Sequence, residues 1–192
     1  MTRLVRYIAG TRDKYLYLRV GKNYNKLVGY TDTDWAGDCT TRKSTSCAIV
    51  MWGDCVLHVH CRRQSVYGLS SPEAEYYGCC GVAAELLYLQ SMLSDMGYNV
   101  DLEVHTDASG AKALASRQGL GRVRHVENTY LWLQDKVAAK QLKIMKIRGD
   151  QNCADVGTKH VSKDVLTFCD ELVGWRDWSP RQFPLDNDDN SD

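Results

Sequence analysis

Four acidic side chains stand where predicted secondary-structure elements begin or end. Asp32 is the last residue of one predicted strand, and Asp107 directly follows another. Glu75 lies near the start of a long predicted helix, and Asp155 lies at the start of the last helical region. Gathered by the fold, these carboxylates would repel one another unless cations lay between them. Two Mg²⁺ ions about 3.5–4 Å apart can activate a water and stabilise a leaving oxygen, so the pattern predicts phosphodiester hydrolysis.

Each acidic residue also has a simpler interpretation. Asp32 lies in YTDTDWAGD, where Asp34 and Asp38 compete with it and acidic residues are common in turns. Asp107 can cap the helix that follows it, and Asp155 can be a favourable charge in a first helical turn. Each residue is a weak indicator alone, and the hypothesis depends on all of them occurring together.

The longest predicted helix begins at Ser70-Ser71-Pro72-Glu73, where a serine cap, an early proline and a capping glutamate coincide. Glu75 then heads one face of this helix. The face continues at spacings of three and four with the apolar residues Cys79, Val82, Leu86, Leu89 and Leu93. A carboxylate at the head of a buried face is costly unless it is compensated. We therefore select Glu75, and not Glu73, as the functional residue.

The order of the other elements predicts the fold class. A helix at 2–9 and a strand at 15–20 precede three strands that follow one another closely, at 27–32, 47–52 and 55–61. After the long helix we predict a strand at 101–106, helices at 109–117 and 126–139, a strand at 141–147 and a helical region from about Asn152. Consecutive antiparallel strands followed by strand–helix alternation indicate an α/β fold with a mixed sheet flanked by helices.

The composition is that of an ordinary globular domain. The 192 residues are 44% hydrophobic and 25% charged, and no stretch approaches the roughly 20 apolar residues of a membrane helix. The N-terminal MTRLVRYIAG lacks the apolar centre of a secretory signal, so we expect an intracellular protein with no membrane partner. The net charge is zero, so any nucleic-acid-binding surface would have to be local.

The eight cysteines favour buried free thiols in a reducing compartment. One group, formed by Cys55, His58, His60 and Cys61, contains the residue types that bind zinc. Its spacing fits no standard ligand pair, and no second pair follows at the usual distance. We therefore do not expect a zinc site in this group.

Six segments together resemble one protein family. Their order and spacing are similar to the ribonuclease H region in the Pol polyprotein of copia-type LTR retrotransposons, and residues 3–18 resemble the end of its reverse transcriptase part. The segments are YTDTDWAGD (30–38), RKSTS (42–46), LSSPEAEYYG (69–78), HTDASGAKAL (105–114), RHVENTYLWLQD (124–135) and CADVGTK (153–159).

The resemblance implies a fold, an activity and a site. The fold is ribonuclease H-like, with a five-stranded mixed sheet in which three antiparallel strands precede parallel ones. The activity is hydrolysis of the RNA strand of RNA–DNA hybrids during reverse transcription, with two Mg²⁺ ions that Mn²⁺ can replace. The catalytic and metal-binding positions of the family fall on Asp32, Glu75, Asp107 and Asp155.

The resemblance also implies how the chain is organised. Residues 1–26 are the end of the reverse transcriptase, residues 27–175 are the ribonuclease H-like domain, and residues 176–192 are an acidic, disordered tail. The chain is then a C-terminal fragment, with an RNA–DNA hybrid and the remainder of the Pol polyprotein as its partners. Its expected location is a cytoplasmic virus-like particle or the nucleus.

Five residues are candidates for contacting the hybrid, which proteins grip mainly through phosphates and 2′-hydroxyls. Ser71 can bind a phosphate, although it can equally cap the long helix. Arg42, Arg63 and Arg124 are candidate phosphate partners, with a solvated surface as the alternative. His125 can approach the scissile phosphate or have a structural role.

The sequence also departs from the family and allows other functions. Cys47 stands where the family usually has glycine, and the loop before Asp155 lacks the histidine of many cellular ribonucleases H. An inactive remnant that at most binds nucleic acid is the main alternative. The D-x-D motif formed by Asp32 and Asp34 also occurs in metal-dependent glycosyltransferases, but so short a motif is unspecific.

Overall fold

The computed structural model describes residues 2–18, 24–119 and 130–177. The α-helices are α1 (Thr2–Thr11), α2 (Ser71–Asp95), α3 (Ser109–Ala115), α4 (Trp132–Ala138) and α5 (Lys163–Val173). The strands are β1 (Lys14–Leu16), β2 (Lys26–Asp34), β3 (Thr45–Trp52), β4 (Cys55–Arg63), β5 (Asp101–Thr106), β6 (Lys143–Lys146) and β7 (Trp175–Asp177). Short 3₁₀ helices at Gly149–Gln151 and Cys153–Gly157 lie between β6 and α5.

The central sheet has five strands in the order β4-β3-β2-β5-β6. Strands β2, β3 and β4 are antiparallel neighbours, whereas β5 runs parallel to β2 and β6 runs parallel to β5. The predicted α/β fold is therefore confirmed, with the ribonuclease H-like arrangement of three antiparallel strands and two parallel ones. Because β2 and β5 are parallel neighbours, their carboxyl ends lie at the same edge of the sheet.

Helix α2 covers one face of this sheet at close range. Its Val82 and Leu86 are fully buried, and a Cβ placed at Gly29 of β2 would lie 3.2 Å from side-chain atoms of both. Near the end of β2, Gly78 of the helix lies against the hydroxyl of Thr33. Two glycines thus let helix and sheet approach closely, and this approach brings the start of α2 to the end of β2.

The opposite face of the sheet is covered by the 3₁₀ helices and α5. A second apolar cluster forms there from buried side chains of β3, the 3₁₀ helix Cys153–Gly157 and α5, which are Cys47, Ile49, Met51, Cys153, Ala154 and Cys169. These cysteines are free, as predicted. Burial raises the pKa of the Cys47 thiol to about 12, so this cysteine behaves as an apolar packing residue at neutral pH.

The two ends of the described chain pack together. Strand β1 pairs antiparallel with β7 in a separate two-stranded sheet. The hydroxyl of Tyr7 donates to Asp170 of α5 at 3.2 Å, and Lys14 forms an ion pair with the same carboxylate at 3.2 Å. Strand β7 includes Arg176 and Asp177, so the first two residues of the predicted disordered tail are in a strand.

Most predicted elements are present, and the differences lie at their ends. The strand predicted at 15–20 is the shorter β1, and part of the helix predicted at 126–139 lies outside the described residues. Asn152 caps a short 3₁₀ helix, whereas the last α-helix starts eleven residues later, with Ser162 accepting a capping bond from Val165. Among the described residues, no helix has the length and apolar character that crossing a bilayer requires.

Candidate metal centre

Asp32 and Asp155 are placed side by side by an asparagine. The side chain of Asn152 accepts a hydrogen bond from Ala154 N–H at 3.3 Å, which starts the 3₁₀ helix that carries Asp155. Its amide also donates to the carbonyl of Thr31 at 3.0 Å, and Asn152 is fully buried. One side chain therefore fixes the 3₁₀ helix to the end of β2, where Asp32 is also buried.

Asp107 reaches the same place from the neighbouring parallel strand. It directly follows β5, and the hydroxyl of Thr106 accepts a hydrogen bond from Ala108 N–H at 3.1 Å. Helix α3 has Ala108 as its N-cap residue, so Asp107 is not the helix cap that it would be in the simpler interpretation. Its carboxylate is free to take part in the cluster.

The three aspartates form a compact cluster. One carboxylate oxygen each from Asp32, Asp107 and Asp155 lie within 4.8 Å of one another. Oxygens that share one Mg²⁺ lie about 3–4.2 Å apart, because Mg–O distances are about 2.0–2.1 Å in octahedral geometry. The spacing is therefore within a small side-chain adjustment of a divalent-cation site.

Glu75 lies at the edge of this cluster. Burial, followed by the charges of Asp32 and Asp107, raises the pKa of Glu75 to about 8, although the backbone N–H of Thr33 opposes the shift. Burial also raises the pKa of Asp155 to about 6. The structure thus brings three of the four predicted acids into one cluster, and Glu75 lies close enough to be affected by the charges of Asp32 and Asp107.

Two buried carboxylate oxygens at this site lack hydrogen bonds. Within the described ranges, Glu75 Oε2 and Asp155 Oδ1 have no hydrogen-bond partner. Leaving a buried acceptor unsatisfied costs about 1–3 kcal/mol. Because both oxygens are hard ligands of the type that Mg²⁺ prefers, the residues present fit a bound divalent cation.

Lys159 and Thr158 also belong to the site, although neither was a predicted site residue. Lys159 Nζ lies 2.9 Å from an oxygen of Asp155 and 3.5 Å from one of Asp32, and the Thr158 hydroxyl donates to Asp32. Burial alone would lower the pKa of Lys159, but its carboxylate partners raise it. The i,i+4 spacing of Asp155 and Lys159 is the sequence feature that could have indicated this ion pair.

The predicted substrate contacts are only partly described. Ser71 is exposed and is the first residue of α2, while Ser70 is its N-cap residue. Ser71 therefore does not cap the helix. Glu73 accepts a hydrogen bond from Leu69 N–H at 2.9 Å, one residue before the N-cap, and the Ser70 side chain makes no capping bond, so the predicted capping box is not formed. Arg124 and His125 lie outside the described residues.

The other two candidates lie near the loop between β2 and β3. The guanidinium of Arg63 donates to Asp38 at 2.8 Å and is 56% exposed. Arg42 adopts a left-handed backbone conformation with φ +58°, and its backbone N–H donates to the carbonyl of Asp38 at 2.6 Å. The loop is thus held by Asp38, so this carboxylate has a structural partner and does not join the cluster.

Several known proteins are similar to this chain in sequence. No family model matches this chain. Its homologues are retrovirus-related Pol polyproteins of copia-type transposons, so the resemblance found in the motifs is confirmed. The chain is 31% identical over 173 residues to the Pol polyprotein of transposon TNT 1-94 from Nicotiana tabacum. It is 30% identical over 177 residues to that of transposon RE2 from Arabidopsis thaliana.

These alignments cover most of this chain but little of the relatives. They include 89% and 91% of this chain, and 13% and 12% of the respective polyproteins. Among solved structures, the chain is similar to the N-terminal RNase H domain of a Mycobacterium tuberculosis protein, solved as a fusion with maltose-binding protein. That likeness has a TM-score of 0.48 and 16% identity and covers 77% of this chain and 95% of the other.

Proposed function

We propose that this chain is a ribonuclease H that hydrolyses the RNA strand of RNA–DNA hybrids. The observation that carries the proposal is the cluster of Asp32, Asp107 and Asp155, whose carboxylate oxygens lie within 4.8 Å of one another. The proposal is supported by the homology to transposon Pol polyproteins, which must remove template RNA if they copy RNA into DNA. The polymerase part of such a polyprotein would be the partner of this chain.

The metal would be held by the four acids. Asp32, Asp107 and Asp155 would be its main ligands, with Glu75 beside them, and the unsatisfied oxygens of Glu75 and Asp155 support this assignment. When bound, two Mg²⁺ ions, or Mn²⁺ in their place, supply an activated water and charge stabilisation at the leaving oxygen.

The protein's own groups would orient the carboxylates. Thr158 donates to Asp32, and Lys159 contacts both Asp32 and Asp155. In the metal-free protein Lys159 offsets part of the negative charge that would otherwise oppose folding. Asn152 keeps the 3₁₀ helix against β2 and so fixes the distance between Asp155 and Asp32.

Substrate binding would use groups on the surface around the cluster. Ser71 is exposed at the start of α2, four residues before Glu75. Arg63 is more than half exposed, so its guanidinium can reach a phosphate as well as Asp38. Arg42, Arg124 and His125 complete the proposed contacts. Arginine suits this role because its planar donors match phosphate oxygens.

The test is strand-specific cleavage by the purified chain. A hybrid labelled on either strand should be cut only in its RNA strand, and only when Mg²⁺ or Mn²⁺ is present. Asp107→Asn removes a proposed ligand and should reduce the rate about 100-fold or more, since metal stabilisation is worth several kcal/mol and about 1.4 kcal/mol is tenfold. Asp95→Asn, at the far exposed end of α2, is the matched control.

Two results would contradict the proposal. Cleavage that Asp107→Asn leaves unchanged would exclude this site. Hybrid binding without cleavage, together with no Mg²⁺ or Mn²⁺ affinity in calorimetry, would support the inactive remnant.

A further inference from the structure

A second group of metal-ligand side chains lies on the edge strand of the central sheet. His58 and His60 are alternate residues of β4, so both side chains project from the same face. Glu85 reaches them from helix α2. Each of the three residues has one ligand atom that lies within 4.8 Å of the ligand atoms of the other two.

The histidines face helix α2 because of the strand register. His58 pairs with Val50 and His60 pairs with Ala48 on β3. Val50 and Ala48 both belong to the core cluster that packs beneath α2. The side chains of His58 and His60 therefore lie in the gap between the sheet edge and the helix that carries Glu85.

The aspartate cluster uses the other face of the sheet. Asp32 pairs with Cys47, which in turn pairs with Cys61. Cys47 packs in the cluster beneath the 3₁₀ helix and α5, and Cys61 donates its thiol proton to the carbonyl of Gly157 at 2.9 Å. Cys61 therefore points away from the histidines, and the group on β4 is a separate site.

The geometry is close to that of a tetrahedral zinc centre. His58 Nε2 lies 3.1 Å from His60 Nδ1, where the two rings share a hydrogen bond in the metal-free protein, and 4.0 Å from Glu85 Oε1. Nitrogen and oxygen ligands of tetrahedral zinc lie about 3.3 Å apart, because each lies about 2.0–2.1 Å from the ion. The two nitrogens already have this spacing, and the flexible glutamate side chain needs to move by less than about 1 Å.

Exposure leaves space for a further ligand. The side chains of His58 and Glu85 are 34% and 31% exposed, so the site is open to water on one side. A groove of about 320 Å³ adjoins His60 and is lined by small residues of α2, including Gly81 and Ala84. Three protein ligands and one water position are the pattern of an open zinc site.

We propose that His58, His60 and Glu85 bind one Zn²⁺ ion, with water as the fourth ligand. The ion would join edge strand β4 to helix α2. The residue spacing on β4 alone did not indicate this site because its third ligand comes from a different element. The neighbouring Cys61, which could have completed a zinc motif in the sequence, faces the opposite side of the sheet.

The experiment is zinc titration of the reduced, metal-stripped full chain by calorimetry. Excess Mg²⁺ is present so that the aspartate cluster does not contribute. The wild type should bind one tight Zn²⁺. His60→Gln should weaken zinc binding by about 100-fold or more. Even the loss of a group that only hydrogen-bonds to a metal ligand typically lowers metal affinity about 10- to 100-fold. His160→Gln, which removes an exposed histidine elsewhere, should bind like the wild type.

Cobalt distinguishes this site from the free cysteines. Co²⁺ bound to two imidazoles and a carboxylate should show visible d–d bands without the thiolate-to-cobalt charge-transfer band that cysteine ligands produce. Glu85→Gln, a change at a helix position that is about one-third exposed, tests the third ligand even if His60→Gln fails to fold. Zinc affinity that is unchanged in Glu85→Gln, or a thiolate band for the bound cobalt, would overturn the proposal.

Discussion

At the scale of single residues, Glu75 shows the cost of gathering carboxylates. It is 6% exposed, one of its oxygens has no hydrogen bond within the described residues, and Asp32 and Asp107 oppose its ionisation. Each of these factors favours the protonated form when no cation is bound. A cation reverses the balance because it needs the ionised carboxylate. Protonation and metal binding should therefore compete at this residue.

The pH dependence of stability follows from the raised pKa of Glu75. Between its ordinary value of 4.5 and about 8, the folded state keeps a proton that the unfolded state has lost. The metal-free protein should therefore lose stability as the pH rises from about 5 to 8, by at most about 1.4 kcal/mol per pH unit for one proton. Thermal melting without divalent cations measures this slope.

Two comparisons check that the slope belongs to Glu75. The Glu75→Gln variant has no titratable group at this position. Its melting temperature should therefore vary less than that of the wild type over the same pH range. Mg²⁺ should raise the melting temperature of the wild type more at pH 8 than at pH 5. A glutamine variant with an unchanged slope would show that another group is responsible.

At the scale of elements, the approach of α2 to β2 decides whether Glu75 reaches the aspartates. The helix lies close to the strand because Gly29 has no side chain to separate them. Val82 and Leu86 on the helix side are fully buried and cannot move aside freely. Gly29 does not have a positive φ. Close packing against α2, and not backbone conformation, therefore requires a glycine at this position.

Gly29→Ala should destabilise the protein by about 1–3 kcal/mol, the usual cost of overpacking a well-filled core. Gly81→Ala is the matched control, because a Cβ at Gly81 of α2 meets nothing within 4 Å. That change should stabilise the helix by about 0.5–1 kcal/mol. Urea denaturation measures the free energy of unfolding of both variants. Equal changes in the same direction would contradict the packing explanation.

At the scale of the whole molecule, the N-terminal segment is part of the packed structure. Strands β1 and β7 pair, and Tyr17 N–H donates to the carbonyl of Gly174 at 2.7 Å. Gly174 ends α5 in a left-handed conformation with φ +92°, and a Cβ there would lie 2.5 Å from the carbonyl oxygen of Tyr17. One glycine thus connects the end of α5 to the first strand.

Gly174→Ala should therefore separate the two terminal strands. Gly97→Ala is the control, since Gly97 has a similar φ of +88° but no atom within 4 Å of an added Cβ. In both variants an alanine held in the left-handed conformation should lower the free energy of unfolding by about 1–2 kcal/mol. Only Gly174→Ala should also speed amide hydrogen exchange at Tyr17. Faster exchange at Tyr17 in both variants would mean that the contact with Gly174 is not the cause.

Much of the fold and the four candidate acids could be predicted from the sequence by itself. Helix and strand periodicity, turn residues and capping signals are local, so they indicated the order of the elements along the chain and placed Asp32 and Asp107 at the ends of strands. The choice of Glu75 over Glu73 also came from local periodicity. Local patterns served well here because parallel neighbouring strands bring their carboxyl ends to one edge of the sheet.

Only the tertiary structure decided which distant residues meet. Lys159 lies 127 positions from Asp32 in the chain, and nothing in either local pattern indicates their contact. The same holds for Glu85 beside His58 and for strand β7 beside β1. Strand register and helix packing set these pairings, and both depend on side chains buried from several elements at once. Local periodicity shows which face of an element is buried, but not which other element covers it.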